Sequence, residues 1–94
     1  MTNAKIALVT GANRGLGKEV CRQLAEQGYR VILTSRSEDK GRAALADIAQ
    51  EGFDITYHQL DVNNVQSIAT IKEWIINTYG RLDVLVNNAG INYD

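Results

Sequence analysis

Ninety-four residues are enough for one small domain, and 45% hydrophobic against 22% charged residues excludes a disordered chain. Ten basic residues against eleven acidic ones, net charge −1, give no bulk attraction to nucleic acid or an anionic membrane. No apolar run has the length of a membrane span and no signal-like segment opens the chain, so the default expectation is a cytoplasmic protein whose residues 1–94 form one unit.

In chain order, residues 6–10, Ile-Ala-Leu-Val-Thr, read as a first strand: aliphatic and unalternated, as when both faces are covered. A turn carrying Gly11, Gly15 and Gly17 follows, and a helical pattern begins at once, expected over residues 15–27. Leu16, Val20 and Leu24 recur there at four-residue spacing, and Gly28 stops the helix. The lone Cys21 falls in this helix, cannot close an internal disulfide, and reads as a buried small hydrophobe. Residues 30–34 read as a second strand. Ser37 is placed to cap a second helix over 38–50, whose weak apolar stripe is Ala44, Leu45, Ile48 and Ala49. Residues 55–60 read as a third strand with Asp61 and Val62 at its end. Asn63 or Asn64 caps a third helix running to Tyr79, with Ile68, Ile71, Ile75 and Tyr79 on one face and Gly80 as its stop. Residues 82–86 read as a fourth strand, expected to be buried on both faces, followed by Asn87, Asn88, Ala89 and Gly90.

Strands alternating with helices over short links give right-handed βαβ units and a parallel sheet, here in the order 3-2-1-4. Ligands of such sheets lie at the carboxyl ends of the strands where the order reverses, between strands one and four. That rule gathers the Gly11 turn, Asp61–Val62 and residues 87–90 on one rim.

Glycines in a strand-to-helix turn fit either a plain tight connection or a diphosphate seat, since helix-start N–H groups lack partners and carry partial positive charge. Arg36 sits after strand two, where an acidic residue would bind a free ribose 2′-hydroxyl. No acid stands there, and Arg36, with Arg14 from the glycine turn, suits a 2′-phosphate; the alternative is a solvated loop arginine. Asp61 is either a solvated strand-end acid or an acceptor for an adenine amino group. Asn87 and Asn88 could pin strand four to its neighbours. His58 and Trp74, each the only residue of its type, read as structural.

Thr10-Gly11-Ala12-Asn13-Arg14-Gly15-Leu16-Gly17, together with Asp61-Val62 and Asn87-Asn88-Ala89-Gly90, resembles the short-chain dehydrogenase/reductases, and residues 58–62 and 82–90 look most like their carbonyl reductase subgroup. The resemblance covers essentially the whole chain. It implies the N-terminal half of a Rossmann-type doubly wound parallel α/β sheet, incomplete on its own, that binds NADP(H). It implies cofactor contacts from Gly11, Asn13, Arg14, Gly15, Leu16, Gly17, Arg36, Asp61, Val62, Asn88, Ala89 and Gly90. The family's chemistry, hydride transfer between the nicotinamide and a carbonyl or alcohol substrate, uses a serine and a Tyr-x-x-x-Lys pair that follow the Asn-Asn-Ala-Gly element. Tyr29, Tyr57 and Tyr79 are followed four residues on by Leu33, Asp61 and Asp83, so no such pair occurs in these 94 residues. No catalytic or metal-binding residue is therefore assigned. The expectation is the cofactor half of an oxidoreductase, truncated before its catalytic residues and inactive alone.

Overall fold

The uninterrupted aliphatic runs of the sequence become the inner strands of a parallel sheet, covered by helices on both sides. The structure, a computed structural model, describes residues 4–88. The elements are β1 (Ile6–Val9), α1 (Gly15–Glu26), β2 (Arg30–Ser35), α2 (Glu38–Ala49), β3 (Ile55–Gln59), α3 (Val65–Tyr79) and β4 (Val84–Val86). All pairings are parallel, as the alternation of strand and helix favours, and the order is the expected β3-β2-β1-β4.

Parallel partners point to the same face, so register sorts the core in two. Val9, Val31, Leu33 and Tyr57 pack with Cys21 and Ala25 of α1 and Ala44 and Ile48 of α2. On the other face Ile6, Leu8 and Ile32 pack with Leu60 and with Ile71 and Ile75 of α3. Burial pushes the Cys21 thiol up to about 12, in keeping with its reading as a small core hydrophobe. Caps fall as the side chains dictate for two helices: Ser37 Oγ accepts the N–H of Lys40 at 3.4 Å, and Asn64 Oδ1 that of Ser67 at 3.0 Å.

Three expectations about the helices are corrected. The ridge that α1 buries is Gly17, Cys21 and Ala25, one position on from Leu16, Val20 and Leu24; the small residues bring the helix close to the sheet, and Leu16 is 65% exposed. On α3 Ile71 and Ile75 of the expected face are buried and Tyr79 packs partly against them, but Ile68 is 43% exposed. On α2 Gly41 joins Ala44 and Ile48 in the buried face, while Ala49 is exposed.

β4 differs from the expectation most. Val84 and Val86 are half-buried and Leu85 is 61% exposed. Among the described residues β4 pairs only with β1, and Leu85, in register with Leu8, looks out on the α3 side beyond the cover of that helix. Polar clamps hold the strand instead. Asp83 Oδ2 accepts the Ile6 N–H at 2.7 Å while the Asp83 N–H donates to the Ile6 carbonyl at 2.9 Å. Arg81 bonds the same carboxylate and also the Ala4 carbonyl. The Ile6 N–H first, and the Arg81 guanidinium second, hold the Asp83 carboxyl below the usual range.

Candidate functional site

The helices α1 and α2 lie on one face and α3 on the other, so the chain changes side between β1 and β4, the reversal point at whose carboxyl ends sheets of this kind carry their ligands. The glycine turn follows β1 at that point and is pinned from both flanks. The Thr10 N–H donates to the Val86 carbonyl at 3.0 Å and the Ala12 N–H to the Thr34 carbonyl at 2.8 Å. Thr10 Oγ1 donates to Asn87 Oδ1 at 3.1 Å, Thr34 Oγ1 to the Val9 carbonyl at 2.8 Å, and Asn88 Nδ2 to the Gly11 carbonyl at 2.9 Å. Asn87 and Asn88 thus tie the end of β4 to the end of β1.

The glycines of this turn serve different ends. Gly15 sits at φ +59° and opens α1, and among the described residues nothing lies within 4 Å of where a Cβ would stand. Gly17 is buried, and a Cβ there would lie 2.6 Å from Asn88 Nδ2 and 2.8 Å from the Gly11 carbonyl oxygen. Gly17 is thus the contact by which α1 docks on the turn.

α1 is also the helix without a side-chain cap: Arg14, at its N-cap position, is extended and gives the helix no capping bond. Its first turn holds no acid, whereas α2 begins with Glu38 and Asp39. Glu19, the earliest acid along α1, is bound by Arg22 and Gln23 and pushed down to about 2. Among the described residues, then, no side-chain cap and no first-turn acid offsets the positive dipole end of α1.

The other expected site residues follow the carboxyl ends of β1, β2 and β3. Asn13 is half-buried, and Arg14 and Leu16 are exposed at the helix mouth. Arg36 is exposed at the end of β2, its carbonyl accepting Gln59 Nε2 at 2.9 Å. Asp61, half-buried, closes a turn by accepting the Asn63 N–H at 3.0 Å, while its own N–H donates to Ser67 Oγ at 2.9 Å; Val62 beside it is exposed. Ala89 and Gly90 lie outside the described residues. His58 is away from the turn, its ring centroid 4.6 Å from that of Trp74, in keeping with a structural role.

Several polar residues that hold the carboxyl-end loops were not singled out from sequence: Thr34, Ser35, Tyr57 and Gln59. Hydroxyls inside the strands signal the first three, since a buried hydroxyl must find a partner. The partners could not be named before the register was known.

A family model described as short chain dehydrogenase matches residues 5–94. The NADPH carbonyl reductase 3 of Rattus norvegicus is 45% identical over 91 residues, covering 96% of this chain and 33% of that protein. Among solved structures, the menthone neomenthol reductase from Mentha piperita superposes with a TM-score of 0.90 at 43% identity, over 97% of this chain and 33% of the other. A metagenomic short-chain oxidoreductase solved in complex with NADP gives 0.85 at 39% identity, over 95% and 40%. The chain spans about a third of the length of the curated relatives it matches.

Proposed function

The chain belongs to the short-chain dehydrogenase family, and on that footing we propose that it is the NADP(H)-binding part of a carbonyl reductase-like oxidoreductase. The observation that carries this reading is the start of α1: uncapped, free of acid in its first turn, opened by Gly15, and set at the reversal point of the sheet. The residues present fit the cofactor. The N–H groups around Asn13, Arg14, Gly15 and Leu16 would hold the diphosphate, for which bare helix-start amides are suited. Arg14 and Arg36 would take the 2′-phosphate, Asp61 and Val62 the adenine, and Asn88, Ala89 and Gly90 the ribose side. Asn88 is already bound to the Gly11 carbonyl, so its part is to hold the turn and β4 together beneath the cofactor.

When bound, NADPH supplies a hydride from its nicotinamide to a carbonyl carbon. This chain's residues bind and orient the cofactor for that chemistry. With no Tyr-x-x-x-Lys pair in residues 1–94, the segment alone is expected to bind cofactor without turning over substrate. The carbonyl or alcohol substrate, the cytoplasmic location and the action of residues 1–94 as one unit belong to the same proposal.

Titration with NADPH and NADH, followed by nicotinamide fluorescence, tests the reading. NADPH should bind about ten- to a hundredfold more tightly, the worth of a charge-assisted contact to the extra phosphate. Arg36→Asp should abolish or reverse the preference. Equal affinities, or an unchanged NADPH affinity in the variant, would contradict it.

A further inference from the structure

The loop that carries Arg36 is held from below by side chains of β3. Tyr57 registers with Leu33 and Gln59 with Ser35, so both stand beneath residues 35–37. The Tyr57 hydroxyl donates to the Ser35 carbonyl at 3.2 Å, lies 3.2 Å from Ser35 Oγ, and reaches the Ser37 carbonyl at 3.5 Å. Ser35 Oγ donates to the Ser37 carbonyl at 2.7 Å, and Gln59 Nε2 to the Arg36 carbonyl at 2.9 Å. Three consecutive carbonyls of the loop are therefore each engaged by a side chain. The seat for this cluster is Gly41 of α2, where any Cβ would collide with the Tyr57 ring and Ser35 Oγ. Ser35 is 1% exposed and Tyr57 8%, so this pair is walled off from water, while Gln59 acts from an exposed position. The Arg42 guanidinium lies over the outer face of the same ring at 5.2 Å.

A loop whose only task was to link β2 to α2 would need no such bracing: Ser37 already caps the helix. We propose that Gln59 and Tyr57 are positioning residues for cofactor choice. They fix the backbone of residues 35–37 so that the Arg36 guanidinium is presented, before any ligand arrives, to the 2′-phosphate of NADP(H). This rests on the NADP(H) reading and deepens it by naming what holds Arg36 in place. A preorganised donor loses less freedom on binding, so the bracing acts on the phosphorylated ligand and not on the rest of the nucleotide.

The test uses the full chain and two small probes, 2′,5′-ADP and 5′-ADP, with binding followed by calorimetry and folding by circular dichroism. Gln59→Leu removes the amide from an exposed position, and Tyr57→Phe removes the hydroxyl while leaving the ring on Gly41. Each should lower the ratio of 2′,5′-ADP to 5′-ADP affinity by about two- to tenfold, the worth of one hydrogen bond, with 5′-ADP binding unchanged. In an Arg36→Gln background, where the ratio has already fallen, Gln59→Leu should lower it no further. An unchanged ratio in both variants, an equal weakening of both probes, or an additive effect in the double variant would overturn the positioning role. A wild-type chain that binds the two probes alike would overturn the NADP(H) reading itself.

Discussion

β2 and β4 flank the same strand and are both aliphatic, yet Val31 to Ser35 of β2 are all buried while Leu85, at the centre of β4, is 61% exposed. β2 has a strand on each side and helices above and below. β4 has one strand beside it among the described residues and is fastened by polar devices at each end: Asp83 to Ile6 at one, Asn88 to Gly11 and Thr10 to Asn87 at the other. An aliphatic run says only that a strand is able to be buried on both faces; its neighbours decide whether it is. β2 is packed on both faces, whereas β4 packs only in part, through Val86, and is fastened by polar bonds at its ends, so each should fail in its own way.

The sharpest contrast is between truncations. Ile32→Ala should destabilise the fold by about 2–5 kcal/mol, because the side chain is fully buried and leaves a cavity. Leu85→Ala should stay within about 0.5 kcal/mol, as for other exposed positions. Urea denaturation of both variants measures the difference. A large, concentration-dependent cost for Leu85→Ala would break the comparison, since it would mean that β4 is covered by another copy in solution.

Next in size is the joint between the regions. Gly17→Ala drives a methyl into Asn88 and the Gly11 carbonyl and should cost about 1–3 kcal/mol, the usual penalty for overpacking. Gly15→Ala meets open space and should cost only the left-handed backbone, about 1–2 kcal/mol. Their difference is clearest in binding. Gly17→Ala acts through helix placement, and a diphosphate probe should report it even where enough folded protein remains.

The smallest effect is on acid stability. The Asp83 carboxyl is held low in the folded state, so its contribution is present above the ordinary carboxylate value and lost as pH falls through the folded one. Wild-type protein should therefore lose stability below about pH 4, while Asp83→Asn starts lower at neutral pH and the gap closes on acidification. Midpoints of urea unfolding across that range check this; a constant gap would mean that the carboxylate charge does not fasten β4.

The strand order was legible because alternation and short links leave few topologies, and the glycine turn was legible because strand, glycines and helix lie in one stretch. What could not be read depends on register and on the third dimension. The α1 ridge was misplaced by one position because Gly17 and Ala25 carry no hydrophobic signal, yet their smallness is what lets the helix approach. The exposure of Leu85 follows from what lies beside β4, which its own residues do not encode. Asn88 was expected both to pin β4 and to meet the cofactor; that the group it pins is the Gly11 carbonyl is what only pairing in space reveals. The bracing by Tyr57 and Gln59 is not legible in the chain because their partners are carbonyls some twenty residues away.

Amide chemical shifts on adding NADPH to the full chain test the central claim most directly. Shifts should concentrate at residues 13–16, at Arg36 and at Asp61. Gly28 and Gly52, at the amino ends of the strands, serve as internal controls and should stay still. Shifts gathered at Gly28 and Gly52 with a silent α1 start, or none at all at saturating NADPH, would contradict the assignment of the cofactor to the mouth of α1.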